Sequence, residues 1–397
     1  MAAVSGQGTI FTLPNYHGEL FTVTPTETPF LSAIGGLSGA KTCKSTQFEW
    51  QTVDRRTSSA GNAALEGATA PAGTERARAN VTNVVEIHHS AIEVSYSRLA
   101  ATGNFAGANI APEWDDLVLD ELVLQTQAEL ESMAVDVEKS FLTGVYAKPT
   151  DNVTPRTTRG ILSAIQTSSA SGSASIGSAT VVASTGVFTS AAHGMSVGDP
   201  VYVGAVTTTT GITAGVRYYV KTTTSGTVFT LSATPGGAAL TLVSDGSVAN
   251  VYPAKTIAKA GVDAALSSAF NNGAKLPQNE TVLLVGSAQK LNLSNAYSIP
   301  ALNQVPFVRN IGGVNIDTIV TDFGTFGVML DRWMPADQIA VVDLSVCYPV
   351  FLDIPGKGLL FTEELARTGA SRKFQLYGEI GLEYGPETFH ALITNLK

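Results

Sequence analysis

The sequence predicts an α+β protein that carries a small all-β domain as an insertion, and three observations support this. Period-2 alternation marks extended strands at Gln47–Val53 and from Val81 to Ser97. Apolar residues at spacings of three and four mark one long helix from Pro112 to Gly144. From 168 to 253 the chain is almost free of charge and rich in Thr, Val and Gly, with short strands separated by turns.

The whole chain sets bounds on the reading. Its 397 residues suffice for two or three compact units with a sizeable core. Cys43 and Cys347 lie far apart and show no metal-ligand spacing, so they read as reduced thiols. The first basic residue is Lys41, which excludes the positive start of a secretory signal. No apolar run approaches the roughly 20 residues that span a bilayer, so a chain made inside a cell, without a membrane partner, is expected. A formal charge of -9 argues against a basic face that wraps nucleic acid. The charged fraction is 14%, against a usual value of about 25%, which predicts a surface covered by other subunits.

In chain order, residues 1–46 read as an extended arm, because Pro14, Pro25 and Pro29 each push the preceding residue away from helix. Gly35, Gly36 and Gly39 supply the freedom to turn out of it. Then Phe48, Trp50 and Thr52 alternate with Gln47, Glu49 and Gln51, and the two strands within 47–100 form a long hairpin around a Gly/Ala/Pro-rich tip. Near that tip Arg55, Arg56, Glu66, Glu75, Arg76 and Arg78 form a mixed-charge cluster, either a solvated loop or a set of contacts to a neighbouring subunit.

The long helix opens on Pro112 with Glu113, Asp115, Asp116, Asp120 and Glu121 in its first turns, where acids complement the dipole. Leu119, Leu122, Thr126, Leu130, Met133, Val137 and Phe141 form its apolar stripe. The run "TSSASGSASIGSAT" after Gln166 reads as a linker into the β insertion. Beyond it a helix from Thr256 buries Ala258, Val262, Leu266, Ala269 and Phe270 and stops at Asn271-Asn272-Gly273. "TVLLVGS" is a buried strand, "SAQKLNLSNAY" a short helix, and the remainder mainly strands.

Chemical motifs are few. "GGLSGAKT" lies one residue from a phosphate-binding loop, but a Pro-rich arm precedes it, an alternating strand follows, and Ala40 replaces the second glycine. Ser287 and Lys290 match the S-x-x-K pattern of a serine hydrolase, yet its S-D-N and K-T-G companions are absent. His88 and His89 face opposite sides of a strand and cannot share a metal. Asp115-Asp116 suit a helix start, and nothing places Glu363-Glu364 in an apolar pocket. No catalytic residue, metal or cofactor is expected.

The order of arm, hairpin, long acidic helix, mixed α/β region and closing strands resembles the major capsid protein of tailed bacteriophages, the Hong-Kong-97-type fold. The stretches "LPNYHGELFTVTPTETPFLSAIGG", "FEWQTVD", "RANVTNVVEIHHSAIEVSYS" and "KPTDNVTPRTTRGIL" carry it, closely over 9–166 and more loosely over 254–397. The resemblance implies an N-arm at 1–46, an E-loop at 47–100, and a P domain at 101–167 with its spine helix at about 112–144. It further implies an A domain at 254–345 and closing strands at 346–397 that return to the P domain. The all-β domain at 168–253 departs from the minimal fold and is expected on the outer face, binding a host glycan or clamping neighbours.

Functionally, the resemblance implies a structural protein of the virion. It would assemble in the host cytoplasm into hexamers and pentamers of an icosahedral shell around double-stranded DNA. Implied partners are other copies, a scaffolding protein, a portal, loosely held DNA and a decoration protein. No scaffolding segment precedes the arm, so a separate scaffolding protein and no amino-terminal processing are expected. Two other readings stand beside this one: an encapsulin-type cellular compartment, and a serine hydrolase using Ser287 and Lys290.

Overall fold

The computed structural model describes residues 25–38, 41–53, 63–70, 72–73, 75–97, 121–151, 153–276, 280–297, 309–311, 314–366 and 369–397. Most of the expected arm, the tip residues Arg55 and Arg56, Gly39, and the helix start from Pro112 to Asp120 lie outside the described residues.

In chain order come a short helix α1 (Pro29–Ala33) and strands β1 (Lys41–Cys43), β2 (Gln47–Val53), β3 (Arg78–Val84) and β4 (Glu86–Ser95). Helices α2 (Glu121–Thr143) and α3 (Ile161–Ala164) and strand β5 (Ser169–Ser171) follow. Next are β6 (Ala179–Val182), β7 (Val187–Thr189), β8 (Pro200–Thr207), β9 (Arg217–Ser225), β10 (Val228–Ser232) and β11 (Gly246–Pro253). Then come α4 (Lys259–Asn271), β12 (Thr281–Val285), α5 (Ser287–Tyr297), β13 (Arg309–Ile311), β14 (Val314–Thr321), β15 (Gly324–Leu330) and β16 (Ile339–Asp343). The chain closes with β17 (Tyr348–Leu352), β18 (Leu360–Glu364), β19 (Ser371–Glu383) and β20 (Ala391–Thr394).

The chain divides into two units. The smaller comprises 1–26, 89–133 and 362–377; the larger comprises 27–88, 134–361 and 378–397. In the described part of the smaller unit, Ile92 and Val94 of β4 are buried while Glu93 and Ser95 are exposed, the alternation of a strand with one covered face. Glu93 accepts from Ser371 at 2.5 Å and pairs with Lys373 at 2.9 Å, and Tyr96 N–H bonds the Ala370 carbonyl. Ser90 donates to Glu129 on α2.

The larger unit holds three apolar cores. The first gathers Phe30 and Leu31 of α1, Val137, Phe141 and Leu142 of α2, Ile161 and Leu162 of α3, and Phe351, Ile380 and Leu382. The second lies between α4, through Val262, Ala265, Leu266 and Ala269, and a seven-stranded sheet ordered β13-β14-β15-β12-β16-β20-β5. All five residues of β12 are buried, as its unbroken apolar run requires of a central strand. The third core fills a closed barrel ordered β10-β7-β6-β11-β8-β9, where Phe188 and Phe229 stack at 5.4 Å. Closure removes the edges that short Thr/Val strands would otherwise expose.

Several expectations need correction. The single strand from Val81 to Ser97 is two strands. Val85 lies between them: its N–H bonds the Thr46 carbonyl at 3.0 Å, next to the Gln47–Val84 pair, while its carbonyl accepts from the Arg156 side chain at 2.8 Å. On α2, Leu130 is exposed and Leu122 and Thr126 half-buried, so full burial begins only at Met133. The first core flanks only the later turns. On α4, Phe270 is 53% exposed and Ala265 takes its place, because 262, 265, 266 and 269 define the buried stripe and 270 lies one step round the helix.

The start of the expected linker is sheet: β5 pairs in parallel with β20, Leu392 opposite Ser169. The closing strands also separate. β17 and β19 pair with each other, and β1 joins β17, whereas β20 pairs with β16 in the other sheet. Lys41 stays exposed at the start of β1, with its ammonium 2.7 Å from Glu383 and 4.1 Å from the centre of the Tyr348 ring. Gly35 and Gly36 do take positive φ, 119° and 67°, where the chain leaves α1.

Candidate assembly elements

The β2–β3 hairpin has a buried base, and its burial falls toward Val53 and Arg78. Its register runs from Gln47 opposite Val84 to Val53 opposite Arg78, a reach of about 20 Å at 3.3 Å per residue. Along β3, burial rises from the exposed Arg78, Ala79 and Asn80 to the buried Asn83 and Val84. Ladder bonds alone stabilise an isolated two-stranded ribbon marginally, and the exposed end of the pair at Val53 and Arg78 adds little packing to them.

The base is held by side chains the alternation only partly announced. Trp50 donates its indole N–H to the Gly385 carbonyl at 3.0 Å, and its ring meets the edge of Tyr384 at 4.9 Å. Asn83 is fully buried. Its amide N–H groups reach the carbonyls of Leu382 (2.7 Å) and Arg159 (3.2 Å), while its oxygen accepts from Arg159 N–H (2.8 Å) and Val84 N–H (2.9 Å). One side chain thus ties the hairpin to the turn after α2 and to the end of β19. Glycine is required at 381, where a Cβ would stand 2.7 Å from Phe48 Cε1 and 2.8 Å from the Val84 carbonyl. Arg156 binds Val85 and pairs with Glu379, closing the same corner.

Of the six expected contact residues, Glu66, Glu75, Arg76 and Arg78 are exposed, with Leu65 beside them 87% exposed. Arg55 and Arg56 lie outside the described residues. Arg78 reaches Gln51 across the ladder at 3.4 Å.

The root of the arm is clamped at both ends. Arg332 meets Glu27 through two nitrogens at 3.0 and 3.3 Å, and the Trp333 indole donates to the Glu27 carbonyl at 3.0 Å. Glu138 of α2 accepts the N–H groups of Phe30 and Leu31 at 2.9 and 2.7 Å. Burial, then the neighbouring Asp331 carboxyl, push Glu138 up to about 9. Asp331 is likewise raised by burial. Periodicity could not find this contact: Glu138 sits inside the apolar stripe of α2, a buried acid whose hydrogen-bond partners lie far away in sequence.

The barrel meets the rest of the larger unit through Tyr202, whose hydroxyl donates to Asp337 at 2.5 Å, and Asp199, which pairs with Lys397 at 2.6 Å. Ile176 N–H bonds the Val251 carbonyl and Val251 N–H the Gly177 carbonyl, so the barrel's entering and leaving segments run side by side.

Among the described residues, no group of three or more His, Cys, Asp or Glu could hold a metal, and no helix is long and apolar enough to cross a membrane. His88 is buried and His89 exposed, on opposite faces of β4. Ser287 is exposed at the start of α5, where Gln289 is the buried residue, bonding the Ala336 and Lys397 carbonyls.

The model of one protein family, SU10 major capsid protein, matches residues 3–397. No curated protein matches the chain. Among solved structures, the chain is similar to the capsid of a native GTA particle, at 14% identity over 100% of this chain and 99% of that one, with a TM-score of 0.48. The holo-SrpI encapsulin complex from Synechococcus elongatus PCC 7942 is similar at 8% identity over 98% and 93%, TM-score 0.48. The capsid of cyanophage A-1(L) is similar at 13% identity over 97% of each chain, TM-score 0.47.

Proposed function

The chain belongs to the SU10 major capsid protein family, and from that membership we propose that its copies assemble as hexamers and pentamers into the icosahedral shell of a tailed bacteriophage around double-stranded DNA. The observation that carries this reading is the family match over nearly the whole chain. The role is architectural, without a catalytic residue, and its place is the virion after assembly in the host cytoplasm.

In this reading residues 1–46 are the N-arm and 47–100 the E-loop. Arg55, Arg56, Glu66, Glu75, Arg76 and Arg78 contact a neighbouring subunit. A ribbon with an anchored base and an exposed tip suits that task, because the tip is stabilised only when a neighbour supplies a surface. Each contact is weak, but a subunit held at several interfaces gains from high effective concentration. Residues 101–167 with the closing strands β17, β18 and β19 serve as the P domain, 254–345 with β20 as the A domain, and the barrel region faces outward. Scaffolding, portal and decoration proteins are the remaining partners. A net charge of -9 keeps contact with DNA loose.

Electron microscopy of the protein co-expressed with its scaffolding partner tests the reading. Closed shells that yield phage-length DNA when isolated from virions are expected. A monomer or small oligomer at all concentrations, or labelling of Ser287 by a serine-reactive probe, would overturn it. Shells that carry cargo protein in place of DNA would reassign it to a cellular compartment.

A further inference from the structure

We propose that Arg217, with Tyr219 and the hydroxyls of Thr222 and Thr230, forms a binding site on the outside of the barrel for a sugar that carries an oxyanion, such as a hexuronic acid within a polysaccharide. Alternation and register place these side chains on one face. Val201, Val203, Tyr218 and Val220 belong to the barrel core, so Tyr202, Arg217 and Tyr219 point outward. Tyr202 on β8 stands opposite Arg217 on β9, Tyr219 opposite Ser232 on β10, and Thr222 opposite Thr230 further along the same two strands. The strip from Arg217 to Thr222 is roughly 15 Å long at about 3.3 Å per residue.

The charge at the head of this strip lacks a counterpart. From 178 to 253 the chain holds four charged side chains, Asp199, Arg217, Lys221 and Asp245. Asp199 meets Lys397, Asp245 accepts from Ala183 N–H at 2.7 Å, and Lys221 donates to the Gly236 carbonyl at 3.0 Å. Arg217 differs: its Nε is buried without a hydrogen-bond partner. The Asp337 carboxylate beside Tyr202 already accepts from that phenol. A buried charged donor left unpaired is costly, so an oxyanion that completes it gains a charge-assisted bond.

The surroundings select a sugar as the carrier of that oxyanion. The guanidinium lies 5.5 Å from the centre of the Tyr219 ring, an attraction that holds it in place before a ligand arrives. Its fork takes a carboxylate or a sulfate through two parallel N–H bonds. The Tyr219 ring, itself half-buried, offers an apolar surface to the C–H face of a pyranose. Thr222 and Thr230, whose Oγ1 atoms stand 2.7 Å apart, supply donors and acceptors for sugar hydroxyls. Nucleic acid would need a run of cations, and the other one on β9, Lys221, is held by Gly236. Access in an assembled particle rests on the capsid reading, which turns the barrel outward. Binding itself lies within one chain.

The test is saturation-transfer difference NMR of the full, unassembled chain, titrated with a galacturonic acid trisaccharide, a sulfated galactose trisaccharide and a neutral galactose trisaccharide. At least one acidic probe is expected to bind about tenfold or more tighter than the neutral one. Arg217→Gln should remove that preference, whereas Tyr219→Phe, which keeps the ring, should retain it. Should Arg217→Gln not fold, as judged by circular dichroism and melting, Arg217→Lys keeps the charge without the fork and should show a reduced preference. Equal binding of acidic and neutral probes, no binding of any at millimolar concentration, or an unchanged preference in a folded Arg217 variant overturns the site. Micrographs of shells test the capsid reading separately, so either can fail alone.

Discussion

Replacing Asn83 by alanine isolates the joint between the hairpin and the rest of the larger unit. The substitution leaves the Leu382 carbonyl and both backbone groups of Arg159 without the partner they have at 2.7–3.2 Å. Each orphaned buried group costs about 1–3 kcal/mol, so the total is about 3–6 kcal/mol after partial relaxation. Asn83→Asp refines the argument. It keeps an acceptor for Arg159 N–H but turns a second oxygen on two carbonyls, so it should be at least as damaging at neutral pH and recover in acid, where the protonated carboxyl donates again. The assay is denaturant unfolding followed by tryptophan fluorescence, since the Trp50 ring sits on Tyr384 at the same corner, with hydrogen exchange of β2 and β3 amides to localise the loss. An Asn83→Ala chain within about 0.5 kcal/mol of wild type, the range of neutral surface changes, would refute the keystone reading.

Three further outcomes follow. Reversing Glu66, Glu75, Arg76 and Arg78 together should leave the circular dichroism spectrum and melting of the chain unchanged, because all four are exposed, while lowering the yield of sedimenting particles. Excising 178–250 behind a short Gly-Ser joint should give a soluble folded chain, since the two junctions are already hydrogen-bonded neighbours. Excising 168–253 should aggregate, because it also strips β5 from the edge of β20. His390 is fully buried with its affinity for a proton lowered by burial, accepting from Asp343 N–H and donating to the Tyr384 carbonyl. The unfolded chain binds a proton there that the native state excludes, so stability is present above the ordinary histidine value of about 6.5 and falls as pH drops below it. His390→Gln should flatten that part of a stability-against-pH curve, and an unchanged slope would remove His390 as its cause.

Local patterns were the legible part. "FEWQTV" reads as a strand because its large side chains alternate, and it is one. "TVLLV" reads as a central strand and is buried at every position. The Thr/Val/Gly stretch reads as short strands and turns, and the barrel is built of them. Errors arose where an element's neighbours change along its length. The β-branched run continues through Val84 and Val85, so the pattern could not show that the chain passes there from one sheet to another. The apolar stripe of α2 continues to Leu130, but apolar residues are buried only where something packs on them.

The sequence by itself determined which faces want burial and where the backbone must turn, because both are properties of a few consecutive residues. It also determined the family, through a match that spans nearly the whole chain. The tertiary structure alone decided which distant groups meet: Asn83 with Leu382, Lys41 with Glu383, β5 with β20, and Glu138 with the N–H groups of Phe30 and Leu31. An acid, an amide or a short Ser-rich run is ordinary in water. Its partner and its energy are set only when remote segments close around it and exclude the solvent that would otherwise satisfy it.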